Sequence, residues 1–119
     1  MRPDILTSVI DQAADLGVSI LVIAGGEPLV RADEIIRIAQ AHPTILFPVF
    51  TNGLLIDEQM ADTLALYRNI VPLISFEGFR DETDARRGDG VFNRLLATCH
   101  LLSSRGIFFG CSITATSVN

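Results

Sequence analysis

Apolar and polar positions along this chain switch repeatedly between a helical and a strand-like period. Within residues 4–16 the apolar positions Ile5, Val9, Ala13 and Leu16 fall on one helical stripe, and Gly17 stands where a helix-ending glycine belongs. Residues 18–24 read as the first strand, with an apolar run from Ile20 to Ala24 that is the pattern of a parallel strand covered on both faces. The helical period returns over 32–41, with Asp33 and Glu34 suited to a first turn, Ile35, Ile36 and Ala39 facing inward, and Pro43 as the stop. A second strand is predicted over 44–50. Pro48 cannot donate to a ladder there, and it is read as a local bulge. Asp57 caps a third helix running to about Arg68, with Met60, Ala61 and Leu64 on its buried side. Residues 70–76 read as a third strand. A long polar loop follows over 79–90, carrying Arg80, Asp81, Glu82, Asp84, Arg86, Arg87 and Asp89. A fourth helix spans 91–104, with the stripe Phe92, Leu95, Leu96, Cys99 and Leu102, and 107–114 is the last strand.

Helices and strands therefore alternate, which predicts an α/β fold whose right-handed crossovers make about four strands parallel. In such a sheet all strand C-termini lie on one rim, where open α/β sheets and barrels bind ligands. Four polar groups converge there: Gly25-Gly26-Glu27, Thr51-Asn52, Ser75 to Glu77, and Thr114 to Thr116. The pattern opens on a helix and closes just after a strand, so the strand at 18–24 is expected to carry a bare edge. A bare edge is a route to self-association, and the whole is read as one partial domain, truncated at both ends.

Composition narrows the classes. Apolar residues make up 49% of the 119 positions, consistent with a core buried on both sheet faces. The formal charge of −5 argues against a general nucleic-acid surface. No apolar run approaches the ~20 residues of a membrane span, and no signal-peptide pattern opens the sequence, so no membrane partner and a cytoplasmic location are expected. All nine basic residues are arginine, which excludes a Schiff-base or P-loop lysine within these residues. The two cysteines, Cys99 and Cys111, are read as core residues and not as a secreted disulfide framework. His42 reads as a helix C-terminal cap and His100 as surface.

The richest stretch is Gly25-Gly26-Glu27-Pro28. The glycines let backbone approach a ligand with no Cβ in the way, Pro28 stiffens the turn, and Glu27 is held at the strand end. Each companion motif has a plain alternative. Glu27 can cap the next helix, Asn52-Gly53 is a common turn pair, Ser75 can satisfy local backbone, Glu77 can be a solvated loop charge, and Arg86 can replace Arg87 or both can pair with Asp81 and Asp84.

The ordered series is more specific than any of its members. Gly25-Gly26-Glu27-Pro28, Thr51-Asn52-Gly53, Ser75-Phe76-Glu77-Gly78 and Asp84-Ala85-Arg86-Arg87-Gly88 resemble, in the same order, the strand-end motifs of the radical S-adenosylmethionine superfamily. Thr114-Ala115-Thr116 and the residues to Asn119 are similar to the end of that family's fifth strand. The resemblance implies the parallel-sheet portion, strands two to five, of a partial (β/α)6 TIM-like barrel. It also implies S-adenosyl-L-methionine as cofactor. Gly25, Gly26, Glu27 and Pro28 would hold the amino group of its methionine moiety, and Thr51 and Asn52 would line the cavity. Ser75 and Glu77 would meet the ribose hydroxyls or the methionine end, and Arg87 would grip the carboxylate.

The family's chemistry also needs a Cys-x3-Cys-x2-Cys loop for a [4Fe–4S] cluster, which cleaves the cofactor reductively to a 5′-deoxyadenosyl radical for hydrogen abstraction from a substrate. No such loop stands in this sequence, and Cys99 and Cys111 have neither its number nor its spacing. The expectation is therefore a chain that supplies cofactor-binding strand ends, has no catalytic or metal-ligating residue of its own, and leaves cluster and substrate choice to a longer parent. The other reading is a non-catalytic α/β remnant that binds a nucleotide-like ligand or only a protein partner. A free-standing phosphate-binding module is disfavoured, because no glycine-rich loop opens a helix with Rossmann or P-loop spacing.

Overall fold

A computed structural model describes residues 1–117; Val118 and Asn119, the last residues of the segment likened to a fifth strand, lie outside the described residues. The elements in chain order are α1 (Pro3–Asp15), a 3₁₀ turn (Pro28–Arg31), α2 (Ala32–Ala41), β1 (Phe47–Thr51), α3 (Glu58–Leu66), β2 (Ile70–Phe76), α4 (Arg80–Arg87), α5 (Val91–Ser104) and β3 (Gly110–Ile113). The strands form a parallel sheet in the order β1-β2-β3. Phe47 stands opposite Ile70, and Leu73 opposite Gly110.

Residues 18–24 run along the other side of β1 as a fourth strand in all but regularity. Ile20 bridges Leu46 and Ile23 bridges Val49, both parallel. Leu46 N donates to Ser19 O at 2.8 Å and Phe50 N to Ile23 O at 3.0 Å, while Leu21 N and Ile23 N return bonds to Leu46 O and Pro48 O. The rung between them falls to Pro48, which has no N–H. Pro48 is thus no bulge, contrary to expectation. The register on both sides of it steps without an extra residue, and what the proline removes is one hydrogen bond in mid-ladder.

The core lies between sheet and helices. Ile10, Ile38, Ile45, Phe47, Val49, Leu64, Ile74, Leu95 and Leu102 are all fully or almost fully buried. In α1 the packed stripe is Leu6, Ile10 and Ala14, not the predicted one. Ile5, Val9 and Leu16 are exposed. That helix carries two apolar stripes, and period alone does not say which one meets the sheet.

The segment at 79–90 is also corrected: most of it is the helix α4. It has no apolar stripe to announce it, since its one buried residue is Thr83. Its stability comes from charge order instead, with Asp81 and Glu82 in the first turn and Arg86 and Arg87 in the last, each opposite in sign to the nearby helix end. Cys99 is half-buried in α5, but Cys111 is exposed on β3 and is not a core residue, because β3 forms one edge of the sheet. Among the described residues no helix is long and apolar enough to cross a membrane.

Candidate active-site rim

The apolar run ends at Gly25 and Gly26, with φ of +96° and +52°. Both values favour glycine, and open space lies where a Cβ would stand on either residue. Pro28 is buried and starts the 3₁₀ turn, whose N-cap is Glu27. The Glu27 carboxylate accepts from Leu29 N at 3.1 Å, from Thr51 Oγ1 at 2.7 Å and from Asn52 N at 2.8 Å. The capping alternative for Glu27 is therefore real, and it is one part of a larger arrangement: one side chain ties the glycine turn to the end of the neighbouring strand. An ionised carboxylate accepts about four hydrogen bonds. Two of the bonds fall on Oε1 and one on Oε2, so Oε2 keeps room for a further donor.

Thr51 is buried, and its hydroxyl also accepts from Gly53 N at 3.1 Å. Asn52 spends its side-chain oxygen on Leu54 N at 2.9 Å, a turn-forming bond. Gly53 has a φ of +77°, and a Cβ there would lie 2.8 Å from Leu95 Cδ2 and 3.0 Å from Ile74 Cγ2. The turn after β1 is thus pressed onto α5 and β2, which holds Thr51 and Asn52 beside Glu27.

Beneath the glycine turn is a cavity of about 140 Å³ whose lining includes Ile23, Ala24, Gly25, Glu27, Arg31 and Glu34. Glu34 is buried on α2 and ion-paired with Arg31, and its Oε1 has no hydrogen-bond partner. Sequence reasoning took Glu34 for a first-turn charge. The signal available was its position one residue before the buried Ile35.

A second cluster forms at the end of β2. Ser75 is half-buried, in register with Ser112 on β3. Glu77 receives Arg87 through Nε at 3.2 Å and Nη2 at 2.9 Å on Oε1, and Arg86 Nη1 at 2.9 Å on Oε2. The two expected ligand residues Glu77 and Arg87 are therefore brought together, onto each other, and the arginines do not pair with Asp81 or Asp84. Buried Thr83 anchors this corner by accepting from Glu77 N at 3.2 Å. Asp84, missed as a functional position, accepts from Gly90 N and Phe92 N at 3.2 and 2.9 Å, and so caps α5. Its place at the head of Asp-x-x-Arg-Gly was the available clue. Thr114 and Thr116 are exposed beyond β3.

Among the described residues no group of three or more His, Cys, Asp or Glu is placed to hold a metal ion. The only cysteines in the chain, Cys99 and Cys111, lie on α5 and β3, away from the strand-end rim.

Comparison with known proteins gives one answer. The family model described as the Radical SAM superfamily matches residues 1–118. The chain is 32% identical over 114 residues to Fe-coproporphyrin III synthase of Methanosarcina barkeri, covering 94% of this chain and 29% of that protein. It is 35% identical over 101 residues to the mycofactocin maturase MftC of Mycolicibacterium smegmatis, covering 82% and 26%. It is also 31% identical over 102 residues to the PqqA peptide cyclase of Granulibacter bethesdensis, covering 83% and 27%. The chain thus spans less than a third of the length of these curated relatives. In fold it is similar to native anSMEcpe, solved with bound AdoMet and the Cp18Cys peptide, at a TM-score of 0.74 and 21% identity over 93% of this chain and 34% of that one. With a parallel α/β sheet, a glycine-glycine-glutamate-proline strand end tied to its neighbour, and a family match over nearly its whole length, this chain belongs to the radical SAM superfamily.

Proposed function

We propose that this chain is the cofactor-binding portion of a radical SAM enzyme, and that the rim built from Gly25, Gly26, Glu27, Pro28, Thr51, Asn52, Ser75, Glu77 and Arg87 binds S-adenosyl-L-methionine. The observation that carries this reading is the Glu27 tie. Three internal donors fix the carboxylate beside two open glycines, and one acceptor position on Oε2 remains for an ammonium. An ammonium bound there gains a charge-assisted hydrogen bond without reorganising the site. Open backbone at Gly25 and Gly26 fits the same group.

At the other end of the rim, Arg87 is already fixed by Glu77, with 27% of its side chain exposed. A carboxylate approaching from solvent meets a guanidinium with unspent donors. Glu77 on this reading serves first to orient Arg87, and the ribose contact becomes its secondary role. When bound, S-adenosylmethionine supplies the radical chemistry through reductive cleavage of its sulfonium. The iron–sulfur group that reduces it has no fit in the described residues, whose cysteines lie off the rim, so this chain's part is to bind and orient.

The relatives' names range from a porphyrin to a peptide, although all share this stretch. That contrast argues for a stretch concerned with the cofactor, with substrate choice resting elsewhere in the longer proteins. Calorimetric titration of S-adenosylmethionine into this chain tests the reading. Binding that weakens roughly 10- to 100-fold in Arg87→Ala, the worth of one charged hydrogen-bond set, is the expected result. No heat in the unaltered chain, or equal affinity in Arg87→Ala, overturns it.

A further inference from the structure

The proposed function leaves both cysteines unused, yet the topology places them together. Cys111 is the register partner of Ile74, so its side chain leaves the sheet on the same face as that of Ile74. This is the face covered by α5, because Ile74 and Leu95 both crowd the point above Gly53, at 3.0 and 2.8 Å. On α5, Cys99 lies one helical turn beyond Leu95 and packs against the core. A helix position i+4 from one neighbour of Ile74 and a sheet position beside Ile74 thereby share the interface between α5 and the sheet. The two thiols are neighbours across this interface, and Cys111 is one of the groups that raise the Cys99 thiol.

We propose that Cys99 and Cys111 are a redox-active dithiol that closes to an intramolecular disulfide when a small-molecule disulfide oxidises it. The order of events follows exposure. Cys111 is exposed and Cys99 half-buried, so the Cys111 thiolate attacks one sulfur of the oxidant and releases one small thiol. Cys99 then gives up its proton and attacks the Cys111 sulfur, releasing the second small thiol. Two protein thiols lose two electrons, the oxidant's S–S bond takes them up, and the two protons pass to the departing thiolates. Burial keeps the Cys99 thiol protonated, which makes the second step the slow one. The resulting bond fastens the edge strand β3 to α5 on the sheet face opposite to the Ser75 and Ser112 side chains, and it uses none of the rim's residues.

The test is to incubate the reduced chain with glutathione disulfide, denature it, alkylate with iodoacetamide and measure the intact mass. The expected product is a monomer lighter by two hydrogens, with no alkylation and a peptide map that joins Cys99 to Cys111. In Cys99→Ser the same treatment leaves a glutathione adduct on Cys111. Two glutathione adducts, two alkylated cysteines, or a disulfide-linked dimer as the product of the unaltered chain each overturn the proposal. None of these readouts depends on cofactor binding.

Discussion

Glu27 and Thr51 stand 24 positions apart in the chain and share a 2.7 Å hydrogen bond at the rim. It is the shortest of the three bonds on that carboxylate, and it joins two strand ends that the proline gap in the ladder leaves less firmly paired. Replacing Glu27 by Ala strands three donors, so a loss of about 2–3 kcal/mol in folding stability is expected. Thr51→Val removes one donor and keeps the shape, with an expected loss of about 1 kcal/mol. Urea unfolding of both variants measures the difference; equal losses would mean that the carboxylate does not act as the tie.

The Glu77 cluster makes a second prediction. The side chains of Glu77 and Arg87 are 13% and 27% exposed, whereas that of Arg86 is 56% exposed. Exposed ion pairs contribute a few tenths of a kcal/mol and shielded, hydrogen-bonded ones more. A double-mutant cycle on Glu77 and Arg87 should therefore return a coupling of about 1 kcal/mol or more, and the cycle on Glu77 and Arg86 about 0.3 kcal/mol.

Gly53→Ala is expected to be among the costlier single changes. It places a methyl group 2.8 Å from Leu95 and forces a φ of +77° on a residue with a Cβ. Overpacking and the left-handed backbone together predict a loss of about 2–4 kcal/mol. Adding Leu95→Ala relieves the clash but not the backbone cost, so thermal melts of the double variant should show the two losses to be less than additive.

Alkaline pH should weaken the fold through Cys99. Its thiol is raised from an ordinary 9.0 to about 11, first by burial and then by Cys111. Between those values the folded chain holds a proton that the unfolded chain has released, so stability falls as pH rises from 9 to 11. The urea midpoint followed over that range should decline, and Cys99→Ser should remove part of the decline.

Exposed Ile20 and Val22, 58% and 53% accessible, sit on the irregular strand at 18–24, whose ladder bonds among the described residues go to Leu46, Pro48 and Phe50 on one side. Light scattering at rising concentration should register dimers or larger species. Val22→Lys, which puts a charge on that edge, should shift the population towards monomer.

Much of this was legible in the sequence. α2 and α5 were bounded correctly by period and by their glycine and proline stops, and the rim motifs gave the family. What stayed hidden has physical causes. α4 is held by charge order and one buried threonine, so no hydrophobic period marks it. The stripe of α1 was misassigned because Leu6, Ile10 and Ala14 are as apolar as Ile5, Val9 and Ala13. Pro48 was rightly seen as incompatible with a full ladder, but a strand can lose a rung without gaining a residue. The mutual grip of Glu77 and Arg87 depends on the curl of α4 and could not be read from spacing.

The opposite rim carries an arrangement of a different kind. Asn69, at the start of β2, directs its one amide nitrogen to the carbonyls of Ala39, His42 and Ile45, at 2.9, 3.1 and 3.1 Å. A single side chain thus closes the whole return from α2 into β1, at the end of the sheet opposite the glycine turn. The two ends of the sheet have separate tasks: Glu27 and Glu77 shape the ligand rim, and Asn69 keeps the strands threaded from the other end. A fold partitioned in this way can be inherited as scaffold and rewritten as enzyme.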